Sequence, residues 1–307
     1  MKLNSYDLPP WFLKTLKGLL FEVFFLIALG GSVRLMNAGL ACPDWPLCFG
    51  DFIPDYHPQV YLEFIHRVLA GTVALITIGL SVYLIKKPRV PKSLKVIAAT
   101  TVLILVAQVV LGGLTVLWKL HSEVVAAHLG LGTAFYGLLL WIYLSLTTPK
   151  ETSSLRSSMI ITSIFLLLAV YGQMLLGGLV ASNYAALSCT TFPLCQGQWF
   201  PTFQGNLGLN VIHRSFAYVV ALYGIFFFFF VRGQTRNRAL RRGAAGFFLL
   251  VLCQFCVGVA NVLLYRPPLI AVIHLVIGTG LLGLATYCVR RSTAAIPNPA
   301  DEPGGLS

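Results

Sequence analysis

Four histidines in this chain have the type and spacing for metal chemistry, and they sort into two pairs: His66 with His128, and His213 with His274. The offsets between the pairs, 213 − 66 = 147 and 274 − 128 = 146, recur elsewhere: Cys42 and Cys48 reappear as Cys189 and Cys195 at 147, and Gln108 as Gln254 at 146. A unit of about 147 residues is therefore duplicated. Each copy carries one histidine pair on two apolar segments and one cysteine pair in the loop before the first of them. Paired imidazoles inside apolar segments point to haem before any other group. Zinc and copper also take neutral imidazole, but neither pair is accompanied by the third and fourth ligands of a closed zinc site. His57 and His121 have no repeat partner, fall in loops and read as surface residues.

The neighbours of each pair carry further chemistry. Arg67 follows His66 and Arg214 follows His213, in FIHRVLAG and VIHRSFAY. A buried guanidinium needs an anion or a route to the interface, so each arginine either pairs with a haem propionate or snorkels to the headgroups. Glu63 precedes His66 by three residues and shares its helix face, whereas Asn210 stands at the equivalent place before His213. One half therefore has an ionisable carboxylate beside its histidine and the other does not. That carboxylate is either a helix-end residue favoured by the dipole or a group for proton chemistry. Gly71, Gly130, Gly132, Gly278 and Gly280 would let helices approach one another or a flat macrocycle. Cys42 with Cys48, in ACPDWPLCFG, and Cys189 with Cys195, in SCTTFPLCQG, each either close a small disulfide loop in an oxidising compartment or act as a redox pair. The CxxC of Cys253 and Cys256, and Cys288, read as packing residues, since no charge is at hand to stabilise a thiolate.

The elements that position these groups follow from composition. A chain of 307 residues that is 57% hydrophobic and 10% charged is a polytopic membrane protein. Apolar stretches near the ~20 residues needed to cross a bilayer run over 17–36, 61–85, 95–117, 123–146, 159–181, 208–231, 243–265 and 269–289. The amino-terminal segment lacks a small-residue cleavage site and reads as a retained first span. The net charge of +12 needs no nucleic acid. Apart from Arg34, Arg67, Lys119, Arg214 and Arg266, all Lys and Arg fall in segments on the side of the amino terminus, which places both termini in the cytoplasm. The expected fold is an all-α membrane protein of eight transmembrane helices, built as two four-helix bundles, 1–150 and 151–307. As parallel repeats the bundles would be related by a pseudo-twofold axis along the membrane normal. The stretch 147–158 reads as a polar linker and the tail beyond Arg291 as disordered. Each paired histidine lies about five residues into an even-numbered span, or ~7 Å below its outer end, so all four share one depth near the outer face.

With these residues in place, the chain resembles the haem A synthase family of bacterial cell membranes. The resemblance rests on GGSVRLMNAGLACPDWPLC, EFIHRVLAG, VVAAHLGLG, VIHR and IHLVIG, in this order, and covers nearly the whole chain. It implies oxidation of one porphyrin methyl of haem O to a formyl group, through an alcohol, giving haem A for terminal oxidases. It also implies that His66 and His128 hold or flank the substrate haem, that His213 and His274 ligate the iron of a haem b, and that Glu63 is the essential acid. Haem O synthase and terminal oxidase assembly factors are the implied partners, and a homo-oligomer is compatible with the resemblance; the electron acceptor, a quinone or another, is left open. If both substrate-side histidines bind iron, activation of oxygen at the metal gives way to electron removal from the macrocycle and capture of the carbon by water, with Glu63 as base or charge stabiliser.

Two other classes fit parts of the pattern. A bis-haem b electron carrier would keep the histidines and leave haem O unchanged. A membrane disulfide carrier would depend on Cys42 and Cys48 and dispense with the histidines. A parallel-repeat transporter fits less well, because its site belongs near the midplane.

Overall fold

The computed structural model describes residues 6–148 and 157–294. Among these, eight helices are long and apolar enough to cross a membrane: α1 (Pro10–Leu35), α2 (Pro58–Lys86), α3 (Lys92–Leu117), α4 (Ser122–Thr147), α5 (Ser157–Ser182), α6 (Gly205–Gln234), α7 (Arg238–Leu263) and α8 (Pro268–Thr293). All eight expected spans are helical and the fold is all-α. The expected boundary between the halves at 150/151, most of the 147–158 linker and the tail from 295 lie outside the described residues.

The helices are apolar on nearly every face, as segments wetted by lipid must be. Large side chains such as Phe21 and Leu75 stand exposed on the outer surface. Proline occupies the first turn of α1, α2 and α8, where its missing N–H was never needed. Asn237 caps α7 by accepting the Leu240 N–H at 3.0 Å. Most helices begin before the apolar stretch does: α1 starts at Pro10 rather than 17, and α2 at Pro58 rather than 61. Hydrogen bonding and caps, not hydropathy, set a helix's first turn, and these turns extend into the polar interface.

α1 to α4 close a ring in chain order, with α4 returning to α1, and α5 to α8 close a second ring in the same way. The rings meet where α4 packs on α5, α8 on α1, and α4 on α8. Small residues allow this meeting. A Cβ on Gly31 would come within 2.6 Å of Leu275 on α8, and one on Gly130 within 2.5 Å of Leu175 on α5. Tyr171 on α5 donates its hydroxyl to the Gly130 carbonyl at 3.2 Å.

Each ring is filled unevenly. The buried apolar cluster of the first ring runs from Phe12 to Val23 on α1, Val73 to Leu84 on α2, Leu94 to Leu105 on α3 and Phe135 to Leu146 on α4, and the second ring repeats the arrangement around Leu166, Phe227, Phe247 and Leu281. Both clusters occupy the end far from the cysteine loops. At the loop end only small clusters form, Cys42, Cys48 and Val60 in one half and Cys189, Cys195 and Val211 in the other. The end of each ring with only these small clusters is the end that holds the histidines.

Gly208, in the first turns of α6, lies against the incoming chain: a Cβ there would sit 2.1 Å from the Phe203 carbonyl carbon. Backbone yields less readily than a side chain, so Gly208→Ala is expected to destabilise by about 1–3 kcal/mol. Gly18→Ala on α1, where nothing lies within 4 Å, is expected to be neutral or slightly stabilising. Melting of the two variants in detergent checks the contrast.

Candidate functional site

His66 and His128 come from α2 and α4 of the first ring, His213 and His274 from α6 and α8 of the second. His66 and His213 each lie eight residues beyond the first residue of their helix (66 − 58 and 213 − 205), and His128 and His274 six (128 − 122 and 274 − 268). The depths from the helix start are therefore ~12 Å and ~9 Å rather than a uniform ~7 Å, because α2 and α6 begin earlier than hydropathy indicates. The two halves still match each other position for position.

Each imidazole edge rests on a glycine of a neighbouring helix. A Cβ on Gly30 would lie 3.0 Å from His66 Cε1, on Gly112 3.3 Å from His128, on Gly177 3.1 Å from His213, and on Gly258 3.2 Å from His274. These four glycines were not singled out from the sequence, although they keep the repeat register (177 − 30 = 147, 258 − 112 = 146). Gly132 and Gly278 do make close approaches, to the side chains of Gln108 and Gln254, while Gly71 faces open space.

The histidines are half-buried, but Nδ1 of His66, His128 and His274 is sealed and has no hydrogen-bond partner. The amide nitrogen of Gln108 lies 3.5 Å from His128 Nε2, and that of Gln254 lies 3.3 Å from His274 Nε2. An amide N–H donated to Nε2 sets the proton on Nδ1 and the lone pair on Nε2, the tautomer in which Nε2 can bind a metal once the amide moves aside. In each half one such imidazole stands with a second histidine on another helix of the same ring, both backed by glycines, and the pair fits ligation of a haem iron. Among the described residues no group of three or more His, Cys, Asp or Glu gathers as for a zinc site.

Above each pair lies a cysteine loop, and both loops are closed by disulfides, Cys42–Cys48 and Cys189–Cys195. The arginines serve these loops. Arg67 donates Nη1 to the carbonyls of Asp44 (2.8 Å) and Leu47 (2.6 Å), and Nη2 to the Cys42 carbonyl (3.3 Å) and Glu63 Oε1 (2.5 Å). Arg214 donates Nη1 to the Thr191 carbonyl (2.8 Å) and the Cys189 sulfur (3.1 Å), and Nη2 to the Cys189 carbonyl (2.5 Å). Further anchors repeat: Gln59 bonds the Met36 carbonyl at 2.9 Å and Asn206 the Asn183 carbonyl at 3.0 Å. Trp45 reaches across to α3, where a Cβ on Gly113 would touch its ring at 3.0 Å, and Phe192 packs edge-on against Phe255 of α7. Each loop thus spans its ring from the α2 or α6 side to the α3 or α7 side. In the first loop the Asp44 carboxyl is held below the usual carboxylate range, chiefly by the Gly50 N–H, with the Phe49 N–H and Arg67 assisting. Its support of the turn is therefore present above the ordinary value and lost as pH falls through the lowered one.

Glu63 is buried, 4% exposed, with Oε2 accepting the Cys42 N–H at 2.9 Å and Oε1 paired with Arg67. It joins the histidine helix to the disulfide loop. Asn210, equally buried, instead donates to the carbonyls of Ala185 (2.8 Å) and Ala186 (3.0 Å), leaving Oδ1 without a partner. His57 and His121 are exposed, the latter beside Glu123. Cys288 is buried in the second core, but Cys253 and Cys256 lie on the outward face of α7 and pack less than the sequence indicates, because helices apolar all round give no hint of which face turns inward.

Comparison with known proteins gives one consistent picture. Residues 14–286 match the COX15-CtaA model, described as cytochrome oxidase assembly protein. The chain is similar to the haem A synthase of Shewanella oneidensis, at 31% identity over 81% of this chain and 87% of that protein. It is also similar to the haem A synthases of Shouchella clausii, at 29% over 88% and 93%, and of Symbiobacterium thermophilum, at 28% over 89% and 95%.

The clasp is local to each half. Arg214→Ala removes charge-assisted hydrogen bonds worth about 1.5–3 kcal/mol each, so the Cys189–Cys195 disulfide is expected to be reduced by dithiothreitol at least about tenfold faster, with Cys42–Cys48 unchanged. Mass spectrometry of alkylated thiols distinguishes the two bonds.

Proposed function

The chain belongs to the COX15-CtaA family of cytochrome oxidase assembly proteins, and from that premise we propose that it is a haem A synthase, converting haem O to haem A. It is an integral, multi-pass membrane protein and an oxidoreductase of haem A biosynthesis. The two halves, 1–150 and 151–307, act as parallel repeats about an axis along the membrane normal. The mirrored contacts of α4 on α5 and α8 on α1 support this arrangement. Both termini face the cytoplasm and the disulfide loops face outside, a reading supported by the distribution of Lys and Arg.

The observation that carries the assignment of roles is the difference between Glu63 and Asn210 in otherwise matched surroundings. Haem O binds in the first half between His66 and His128. His213 and His274 would hold a haem b in the second half, which would supply one-electron transfer there. Glu63 lies on α2 between the faces of His66 and Arg67, at helical angles of roughly 60° and 40° from them. Of the roughly four lone-pair sites on its carboxylate, the Cys42 N–H and Arg67 use two. The remaining lone pairs take the proton released when the substrate methyl is oxidised, and Arg67 steadies the carboxylate between turnovers. Asn210 has no such capacity and keeps the second half free of chemistry. The terminal nitrogens of Arg67 and Arg214 are committed to the loops, so these arginines act on the haem sites by holding the covers in place. Haem O synthase, terminal oxidase assembly factors and a quinone or similar electron acceptor are the partners this activity calls for.

His213→Ala and His274→Ala are each expected to abolish a low-spin haem b spectrum, since one axial ligand is lost; an unchanged spectrum in both variants rejects these ligands. Glu63→Gln keeps the Cys42 N–H bond and removes the charge. It should fold, retain haem b, and convert haem O some 10²–10⁴-fold more slowly, measured by pigment extraction and chromatography. Near-normal haem A output by this variant eliminates the proposed role of the carboxylate.

A further inference from the structure

A second difference between the halves lies one helical turn below the glycines that back the histidines. On α5, Gln173 precedes Gly177 by four residues; on α1, Leu26 stands at the equivalent place before Gly30 (173 − 26 = 147). The Gln173 amide nitrogen lies 3.2 Å from His213 Nδ1 and 3.0 Å from the His213 carbonyl oxygen. Its Oε1 is sealed and has no partner. Leu26 packs into the first apolar core, and His66 Nδ1, the counterpart of His213 Nδ1, is sealed with no hydrogen-bond partner.

We propose that Gln173 is the positioning residue that makes the second haem site a resident one, and that Leu26 at its twin position leaves the first site exchangeable. The inference rests on the reading that haem b occupies the second half and substrate the first. An imidazole whose Nε2 is bound to metal carries its proton on Nδ1 and needs an acceptor there. Gln173 is the side chain within reach of His213 Nδ1: its amide N–H donates there while the ring is metal-free, and a swing of the carboxamide on ligation would turn the unpaired Oε1 to Nδ1 as the acceptor that a metal-bound imidazole requires. His66 has no such neighbour. A hydrogen-bonded partner on a ligating histidine fixes the ring's orientation and raises its basicity, and losing one typically costs 10–100-fold in metal affinity. A cofactor that stays through many turnovers gains from that hold. A substrate that must leave as product would be hindered by it. Gln173 is thus a neutral device distinct from Glu63, which sets chemistry rather than retention.

The test is transfer of haem from the purified protein to excess apomyoglobin, with haem B and haem A quantified separately. Gln173→Leu copies the first half into the second, and an apolar side chain is well tolerated in a membrane helix. It is expected to release haem B 10–100-fold faster than the parent and to raise the midpoint potential of the haem b that remains, because a less basic imidazole stabilises ferric iron less. Leu26→Gln is expected to slow haem A release by a comparable factor while haem B release is unchanged. Unaltered haem B release and potential in Gln173→Leu overturn the inference. If haem B is instead retained in His213→Ala and His274→Ala, the reading on which it rests falls first, and this proposal falls with it.

Discussion

A guanidinium near the end of a membrane helix reaches out to the headgroups or finds its hydrogen bonds inside the protein, and the loop end of this molecule is arranged around the second course. Arg67 and Arg214 lie one residue from a histidine and donate to carbonyls of the disulfide loop above it. The disulfide keeps those carbonyls converged, the guanidinium pins them to the helix, and Trp45 or Phe192 pins the far side of the loop to the opposite helix. Loss of the guanidinium would leave the loop carbonyls it serves without these partners, which costs more than the bonds themselves contribute. The cover and the ligand helix are consequently one mechanical unit in each half.

Within a frame so closely duplicated, the differences carry the meaning. Glu63 against Asn210 changes charge at a buried position; Gln173 against Leu26 changes hydrogen bonding behind a histidine. Neither alters helix packing appreciably, so a duplicated scaffold can carry two different histidine environments without refolding. The glycines at Gly30, Gly112, Gly177 and Gly258 are retained in both halves, because a side chain at any of them would meet an imidazole edge.

Much of this was legible in the sequence. Eight spans follow from hydropathy, and the histidine and cysteine pairs from the repeat register, which also separated Glu63 from Asn210. What escaped was anything decided between helices. A helix apolar on all faces carries no periodicity to say which side turns inward, so Cys253 and Cys256 read as packed and emerged exposed. Arg67 and Arg214 suggested a propionate or the headgroups, because a loop carbonyl is invisible as an acceptor until the loop is closed. Gln173 drew no notice because its contact with His213 spans 40 residues of chain. The four backing glycines were legible in principle through the same 147 and 146 offsets that revealed the histidines.

The uneven filling of each ring has a dynamic consequence. Opening free energy follows the apolar contacts that must be broken, and the packed cluster lies at one end while the other is secured chiefly by directional polar bonds and a covalent link. The two ends therefore belong to different cooperative units, one exchanging its amides only with global unfolding and the other by brief local excursions. A large planar guest is therefore expected to enter at the loop end, where opening breaks few apolar contacts, while the far end stays packed.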